Sequence, residues 1–279
     1  VSKDQFLEAI EQAKGYVRIG DVFQVVLSQR FDLATNASAL DTYRVLRALN
    51  PSPYMYLLNF EDEHGPYAVV GSSPEALVTV SAGTAITHPI AGSRPRGNNH
   101  EADQLLEQQL LADNKEKSEH LMLVDLARND LLKVCDPGSV TVTEFMQVHK
   151  FSHIMHLVST VEGKVAESCT PIDVFKATFP AGTLSGAPKP RALEIIDELE
   201  SANRGIFGGV VGYFDFAGNA DLAIAIRTAF IRDGVAHVQA GAGIVLDSVP
   251  EAEYQETIAK ASAPLRAIAA ADALVRRTN

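Results

Sequence analysis

The stretch FGGVVGYFDFAGNADLAIAIRTAFIRDGVAHVQAGAGIVL, residues 207–246, decides the fold class. Its three apolar runs are joined by Gly218-Asn219 and Asp233-Gly234, residue types that accept the positive φ of a tight hairpin. Long antiparallel pairing is expected there. Outward from this core, strands are predicted at Val22–Leu33, Tyr54–Phe60, Tyr67–Val70, Ala76–Val80, Ala85–Ile90, Val140–Val148 and Ile154–Val161, mostly short and bounded by turn residues. Helices are predicted between them. Ser2 with Gln5 forms a capping box for the first, whose apolar stripe is Phe6, Ile10, Ala13 and Val17. Others cover Ala39–Leu49, Glu101–Asp113, Glu116–Leu132, Pro171–Thr178 and Pro190–Glu200, and a last one follows a second box at Ser248 and Glu251. No repeat period, low-complexity tract or clear linker interrupts the pattern, so residues 1–279 read as one α+β domain, helices packed outside large antiparallel sheets.

The chain has 279 residues, 46% hydrophobic and 21% charged, enough for a sizeable core. A formal net charge of -11 argues against nucleic-acid or anionic-membrane partners, because either would be approached against repulsion. An anionic substrate would need local positive charge. Cys135 and Cys169 make no C-x-x-C unit, and no charged start with an apolar core precedes Ser2, so a reducing cytoplasm is expected. No apolar stretch approaches the roughly 18 residues of a membrane span.

Two Glu-x-x-Glu pairs, Glu116/Glu119 and Glu253/Glu256, each fall in a predicted helix. Four converging carboxylates would be tolerable only around a cation, whereas a pair at i, i+3 is commonly a solvated helix face. In the last helix Glu253, Glu256 and Lys260 share one face, so Lys260 reads either as part of a site or as the i, i+4 partner of Glu256. The segment Phe179-Pro-Ala-Gly-Thr183-Leu-Ser185-Gly-Ala-Pro-Lys189 is a small-residue loop entering a helix. Its amides and the Thr183 and Ser185 hydroxyls can hold an oxyanion, or can form a plain capped turn. The Walker spacing fails. Arg227, inside the apolar run Leu222–Phe230, stands either at a strand edge with its head in water or inside, against a carboxylate. Gly241 and Gly243 nearby would permit close approach of a ligand to the backbone.

Five motifs, Pro89-Ile-Ala-Gly-Ser-Arg-Pro-Arg-Gly97, Glu119-His-Leu-Met-Leu-Val-Asp-Leu-Ala-Arg-Asn-Asp130, Met155-His156-Leu-Val-Ser159, Gly182-Thr-Leu-Ser-Gly-Ala-Pro188 and Gln239-Ala-Gly-Ala-Gly-Ile-Val-Leu-Asp-Ser-Val-Pro250, resemble those of the chorismate-binding enzymes. The resemblance runs from about Phe6 to about Ala271 and is nearest to the anthranilate synthase large components. It implies two large antiparallel sheets packed together, Mg²⁺ as cofactor, chorismate and ammonia as substrates, and a glutamine amidotransferase subunit as partner. Anthranilate and pyruvate would be the products, for tryptophan biosynthesis. Alternatives on the same fold are an aminodeoxychorismate or aminodeoxyisochorismate synthase, or a chorismate-binding module without turnover.

By the same resemblance Glu119 and Glu256 are direct metal ligands, with Glu116 and Glu253 acting beside them through water. Arg227 would clamp the enolpyruvyl carboxylate, Lys260 would add counter-charge, and Gly92, Ser93, Gly241, Ala242 and Gly243 would touch the substrate through backbone. His156 and Glu75 are the acid/base candidates, and Thr183 joins them as a catalytic residue. Two lysines of relatives with other nucleophiles are replaced, one by Ala91 and one by Gln24, which favours ammonia. Phe207 stands where the family commonly has a substrate-touching tyrosine, removing a hydrogen bond worth about 1 kcal/mol. Ser93 replaces a usual threonine. Asn50-Pro-Ser-Pro-Tyr-Met55 resembles part of a tryptophan inhibitor pocket. Without the amino-terminal half usual in these enzymes, that feedback site is expected to be incomplete.

Overall fold

The computed structural model describes residues 1–151 and 154–274. In chain order its elements are α1 (Lys3–Arg18), β1 (Gln24–Ala34), α2 (Ala39–Leu49), β2 (Tyr54–Asp62), β3 (Gly65–Ser73), β4 (Ala76–Ser81), β5 (Thr84–Thr87), β6 (Ile90–Pro95), α3 (His100–Ala112), α4 (Asn114–Leu131), β7 (Thr141–Lys150) and β8 (Ile154–Lys164). Then follow α5 (Pro171–Thr178), α6 (Gly182–Ser185), β9 (Gly186–Ala187), α7 (Lys189–Leu199), β10 (Val210–Phe214), β11 (Ala220–Ile224), β12 (Thr228–Arg232), β13 (Val235–Ile244) and α8 (Pro250–Asp272). The chain divides into two compact units. The first comprises Val1–Glu75, Thr183–Val211 and Ala223–Asn279; the second comprises Ala76–Gly182 and Gly212–Leu222.

The first unit is built on a six-stranded sheet of order β2-β3-β12-β13-β1-β9, antiparallel throughout. At its centre β1 and β13 pair from Val25↔Ile244 to Ala34↔Val235. Alternation along these strands presents Val25, Leu27, Ala242 and Ile244 to Phe6, Ile10 and Ala13 of α1 and to Ala192 and Ile195 of α7. Farther along, Ala236, Val238 and Ala240 meet Ala261 and Ile268 of α8. The predicted capping box of α1 forms, with the Ser2 and Gln5 side chains each accepting from the other's backbone N–H. Burying a side chain such as Ile10 stabilises by roughly 1.5–3 kcal/mol, and the polar outer face of α1 contributes little beside that.

Strand β9 covers only Gln24 and Val25 of β1, which leaves the next edge groups without a strand partner. An ion pair closes this gap. The Glu200 carboxylate accepts from Ser28 N–H at 2.7 Å and from its hydroxyl at 2.8 Å, while the Arg204 Nη2 donates to the Val26 carbonyl at 2.7 Å.

The second unit holds most of a seven-stranded sheet of order β10-β11-β4-β5-β8-β6, with β7 also paired to β8. Helix α4 packs on β6 and β8, and Leu110 of α3 joins Met155 and Leu157 in a small core. Asp113 ends α3 and caps α4, its carboxylate accepting from the N–H groups of Lys115 and Glu116.

Several expectations need correction. The run Leu222–Phe230 is not one strand: β11 ends at Ile224 in the seven-stranded sheet, β12 begins at Thr228 in the six-stranded sheet, and Arg227 between them has φ 53°. The left-handed turn sends the chain from one sheet to the other. Residues Ile90–Pro95 form a strand that their Gly, Arg and Pro content concealed, and α6 and β9 replace a plain loop. The second capping box does not form. Ser248 precedes the cap residue Val249 by one position, and its hydroxyl accepts instead from Val245 N–H at 3.1 Å, closing the turn before α8. Among the described residues no helix is long and apolar enough to cross a membrane.

Candidate active site

The first unit gathers Glu75, Thr183, Arg227, Glu256 and Lys260, contributed by the end of β3, by α6, by the β11–β12 crossing and by α8. The Thr183 hydroxyl donates to the Glu75 carboxylate at 2.9 Å. Removal of water around Glu75 pushes its pKa upward, and the Thr183 hydrogen bond and the charges of Lys260 and Arg227 oppose this only in part. Thr183 of α6 therefore meets Glu75 through its side chain, a contact that does not need the oxyanion reading of Gly182–Lys189.

Arg227 is half-buried, and its Nη1 donates to the Lys260 carbonyl at 2.8 Å. Desolvation pulls its pKa down while the carboxylates of Glu256 and Glu75 pull it back. Its head thus meets a backbone carbonyl, with the two carboxylates acting on it at longer range. Lys260 bridges two elements, donating to the Gly241 carbonyl at 2.9 Å and pairing with Glu256 at 2.6 Å. The i, i+4 surface pair is therefore present, and the same ammonium also reaches the β13 backbone.

Close packing acts most strongly at Gly241 of β13, where a Cβ would stand 2.9 Å from the Leu27 carbonyl; one on Gly243 would meet the far end of the Gln24 side chain, which can yield. Ala242 turns its methyl into the core, so only its backbone can serve a ligand. Phe207 is buried beneath the Arg204 guanidinium, 5.5 Å from the ring centre. It lines a cavity of about 310 Å³ with Arg204, Ala225 and Thr228.

The second unit gathers Glu116 and Glu119 on α4 with Gly92, Ser93 and His156 on β6 and β8. A bulge lies between Ala91 and Ser93, where Gly92 has φ 80°, and a Cβ there would be 3.1 Å from the Glu116 carboxylate. Arg94 holds that carboxylate at 3.1 Å and Asp113 at 2.6 Å. His156 pairs with Ser93 in the strand register, and its Nδ1 lies 3.2 Å from the Gly92 carbonyl. Since a carbonyl only accepts, Nδ1 carries the proton and Nε2 is the basic nitrogen of the neutral ring. Farther along α4, Asp125 and Arg128 pair with each other at 3.2 Å.

Sequence reading passed over Arg94, Asp113, Glu200 and Arg204, which orient the residues named above. Arg94 lies within a motif already singled out; Glu200 and Arg204 carried no local signal.

Mg²⁺ prefers hard oxygen ligands, and the two acid pairs supply carboxylates, so the donor chemistry suits that ion. Glu116 and Glu256 are each balanced by a basic side chain, Arg94 and Lys260. Among the described residues no three His, Cys, Asp or Glu side chains form one metal-binding group.

Known proteins resemble this chain in both sequence and fold. The sequence model of the chorismate binding enzyme family matches residues 1–266. Anthranilate synthase component 1 of Arthrobacter globiformis is 62% identical over 274 residues, 98% of this chain and 52% of that protein. The crystal structure of anthranilate synthase component I from Streptococcus pneumoniae superposes with TM-score 0.87 at 46% identity, covering 95% of this chain and 58% of the other. The menaquinone-specific isochorismate synthase of Escherichia coli superposes with TM-score 0.84 at 25% identity, covering 96% and 61%. The chain spans about half the length of the curated relatives it matches. A family match over nearly the whole sequence, on a fold these structures share, makes this chain a member of the chorismate-binding enzymes.

Proposed function

We propose that the chain converts chorismate and ammonia to anthranilate, pyruvate and water, as the chorismate-handling part of an anthranilate synthase working in the cytoplasm in tryptophan biosynthesis. The observation that carries the reading is Glu75, a carboxyl inclined to keep its proton, hydrogen-bonded to Thr183 and within electrostatic reach of two cations. Such a group suits a dianion from which a hydroxyl must depart, because the cations hold the carboxylates and the acid supplies the proton.

In this reading ammonia adds at C2 of chorismate, the C4 hydroxyl leaves as water, and loss of pyruvate makes the ring aromatic. Arg227 holds the enolpyruvyl carboxylate, and Lys260 adds positive charge. Gly92, Ser93, Gly241, Ala242 and Gly243 contribute backbone contacts, and Phe207 an apolar one. Glu75 delivers a proton to the departing hydroxyl, and His156 Nε2 takes one from the substrate. Glu119 and Glu256, with Glu116 and Glu253 beside them, would hold Mg²⁺. When bound, the ion supplies Lewis acidity toward the ring carboxylate. Ammonia is the nucleophile because Ala91 and Gln24 provide neither an attacking nor a water-activating lysine. A glutamine amidotransferase subunit supplies that ammonia in the cell.

The test is incubation with chorismate, Mg²⁺ and ammonium while anthranilate fluorescence and pyruvate are followed together. Equal release of both supports the reading. An amino product without pyruvate assigns an aminodeoxychorismate-type reaction, and a hydroxylated isomer assigns water as nucleophile. Chorismate binding without product would leave only a binding module.

A further inference from the structure

His120 is fully buried on α4, between the proposed ligand Glu119 and the next turn of the helix. Its Nε2 lies 2.7 Å from the Ser159 hydroxyl of β8 and its Nδ1 lies 3.3 Å from the Ala91 carbonyl of β6. The Ser159 hydroxyl in turn accepts from Met146 N–H at 2.9 Å. The proton positions follow from the partners. Ala91 can only accept, so Nδ1 must donate; Ser159 then gives its one proton to Nε2 while receiving the Met146 N–H.

Both ends of this chain of hydrogen bonds lie at irregularities in strands that pair with β8. Met146 has φ 51°, where the β7 register slips between Glu144 and Gln147; Ala91 opens the β6 bulge at Gly92. Bulges leave backbone groups outside the ladder, and a buried group left unpaired is destabilising. The next carbonyl of the same bulge, on Gly92, is taken by His156. Two histidines thus hold two consecutive carbonyls. Because Glu116 lies one turn before His120 and packs against Gly92, the helix register and the bulge are joined at this point.

We propose that His120, fixed by Ser159 as the Nδ1–H tautomer, is a positioning residue that sets the β6 bulge at Gly92 and Ser93 against the acids Glu116 and Glu119 of α4. The kinetic part of this proposal rests on the function proposed above; the positional part does not.

The experiment uses the whole protein, deuterated and labelled with ¹⁵N. Long-range correlation spectra should show His120 with a protonated Nδ1 and a pyridine-like Nε2; an Nε2–H ring overturns the proposal. In Ser159→Ala the Gly92 amide resonance should move, and in Ser159→Thr, which keeps the hydroxyl, it should return; an unmoved resonance likewise overturns it. His120→Gln and Ser159→Ala should lower kcat with chorismate by about 10-fold, the usual effect of removing an orienting partner, and Ser159→Thr should restore it. Variants that melt earlier yet keep full kcat per folded molecule would reduce His120 to a packing residue and overturn the positioning role. A wild type that does not turn over chorismate would reject the proposed function alone, since the resonance measurements still decide the tautomer and the bulge.

Discussion

Thr183 donates its hydroxyl to Glu75 at 2.9 Å, joining α6 to the end of β3 across 108 residues of chain. The bond favours the ionised carboxylate, and the loss of water around Glu75 favours the neutral acid more strongly. Thr183→Val removes the first effect and leaves the second. The Glu75 pKa should then rise further, moving the alkaline limb of the kcat profile for chorismate upward, while Thr183→Ser keeps the wild-type limb. A limb that stays in place in Thr183→Val would remove Glu75 as the acid of the reaction.

The same raised pKa predicts how Glu75 acts on stability. A carboxyl that holds its proton more tightly when folded gives the native state more bound protons between its unfolded and folded pKa values, so stability falls as pH rises through that window. This sign is opposite to that of a salt-bridged acid. Glu75→Gln should abolish the decline, and its gain in melting temperature should be larger at about pH 8 than at about pH 4.5. Equal effects at both pH values would show that the folded protein leaves this pKa near its ordinary value.

How much of this was legible in the sequence depends on where each signal sits. The hairpin at Asp233-Gly234 was readable because both residues must adopt positive φ, and both do, at 50° and 75°. The sheet crossing at Arg227 was not. Leu222–Phe230 is apolar on both sides of the break, with no Gly or Pro to mark it, and the left-handed residue is an arginine. Glu75 and His156 stood out through the motifs around them, whereas the desolvation of Glu75 and the tautomer of His156 are properties of the fold. The edge closure by Glu200 and Arg204 was invisible for a related reason: its partners Val26 and Ser28 are about 175 residues earlier in the chain, beyond any helical or strand period.

That edge closure has a measurable energy. Glu200 and Arg204 pair at 2.6 Å with side chains 6% and 17% exposed, and Arg204 also donates to the Leu184 carbonyl beside Thr183. Removing one member of a buried pair leaves the other charge uncompensated, at a cost of about 3–5 kcal/mol. Glu200→Gln or Arg204→Met alone should each lower the urea midpoint accordingly. The double variant should cost less than the sum, because the stranded charge is gone. Additive losses would mean that the two side chains act separately on β1.

Asp103 offers the complementary pH test, in the second unit. Its carboxylate receives Arg96 Nε at 2.8 Å and Gly97 N–H at 2.9 Å, and Lys150 Nζ lies 3.2 Å away. The Arg96 hydrogen bond and the Gly97 amide hold its pKa far below the ordinary carboxylate value against the opposing effect of desolvation, with a smaller lowering from Lys150. A depressed folded pKa means that the unfolded chain takes up the proton first. The stabilisation is therefore present above the unfolded pKa and is lost as pH falls below it. Asp103→Asn should lower stability at neutral pH and make the acid limb of the stability curve shallower. Gly97 is part of the same device, since a Cβ there would stand 2.2 Å from the Asp103 backbone nitrogen, with no flexible side chain to yield. Gly97→Ala should push α3 away from the loop and cost about 1–3 kcal/mol, in the range of an overpacked site. Urea titrations of both variants at neutral and acidic pH decide the matter: an Asp103→Asn curve parallel to wild type at every pH would mean that this carboxylate titrates alike in the folded and unfolded chains.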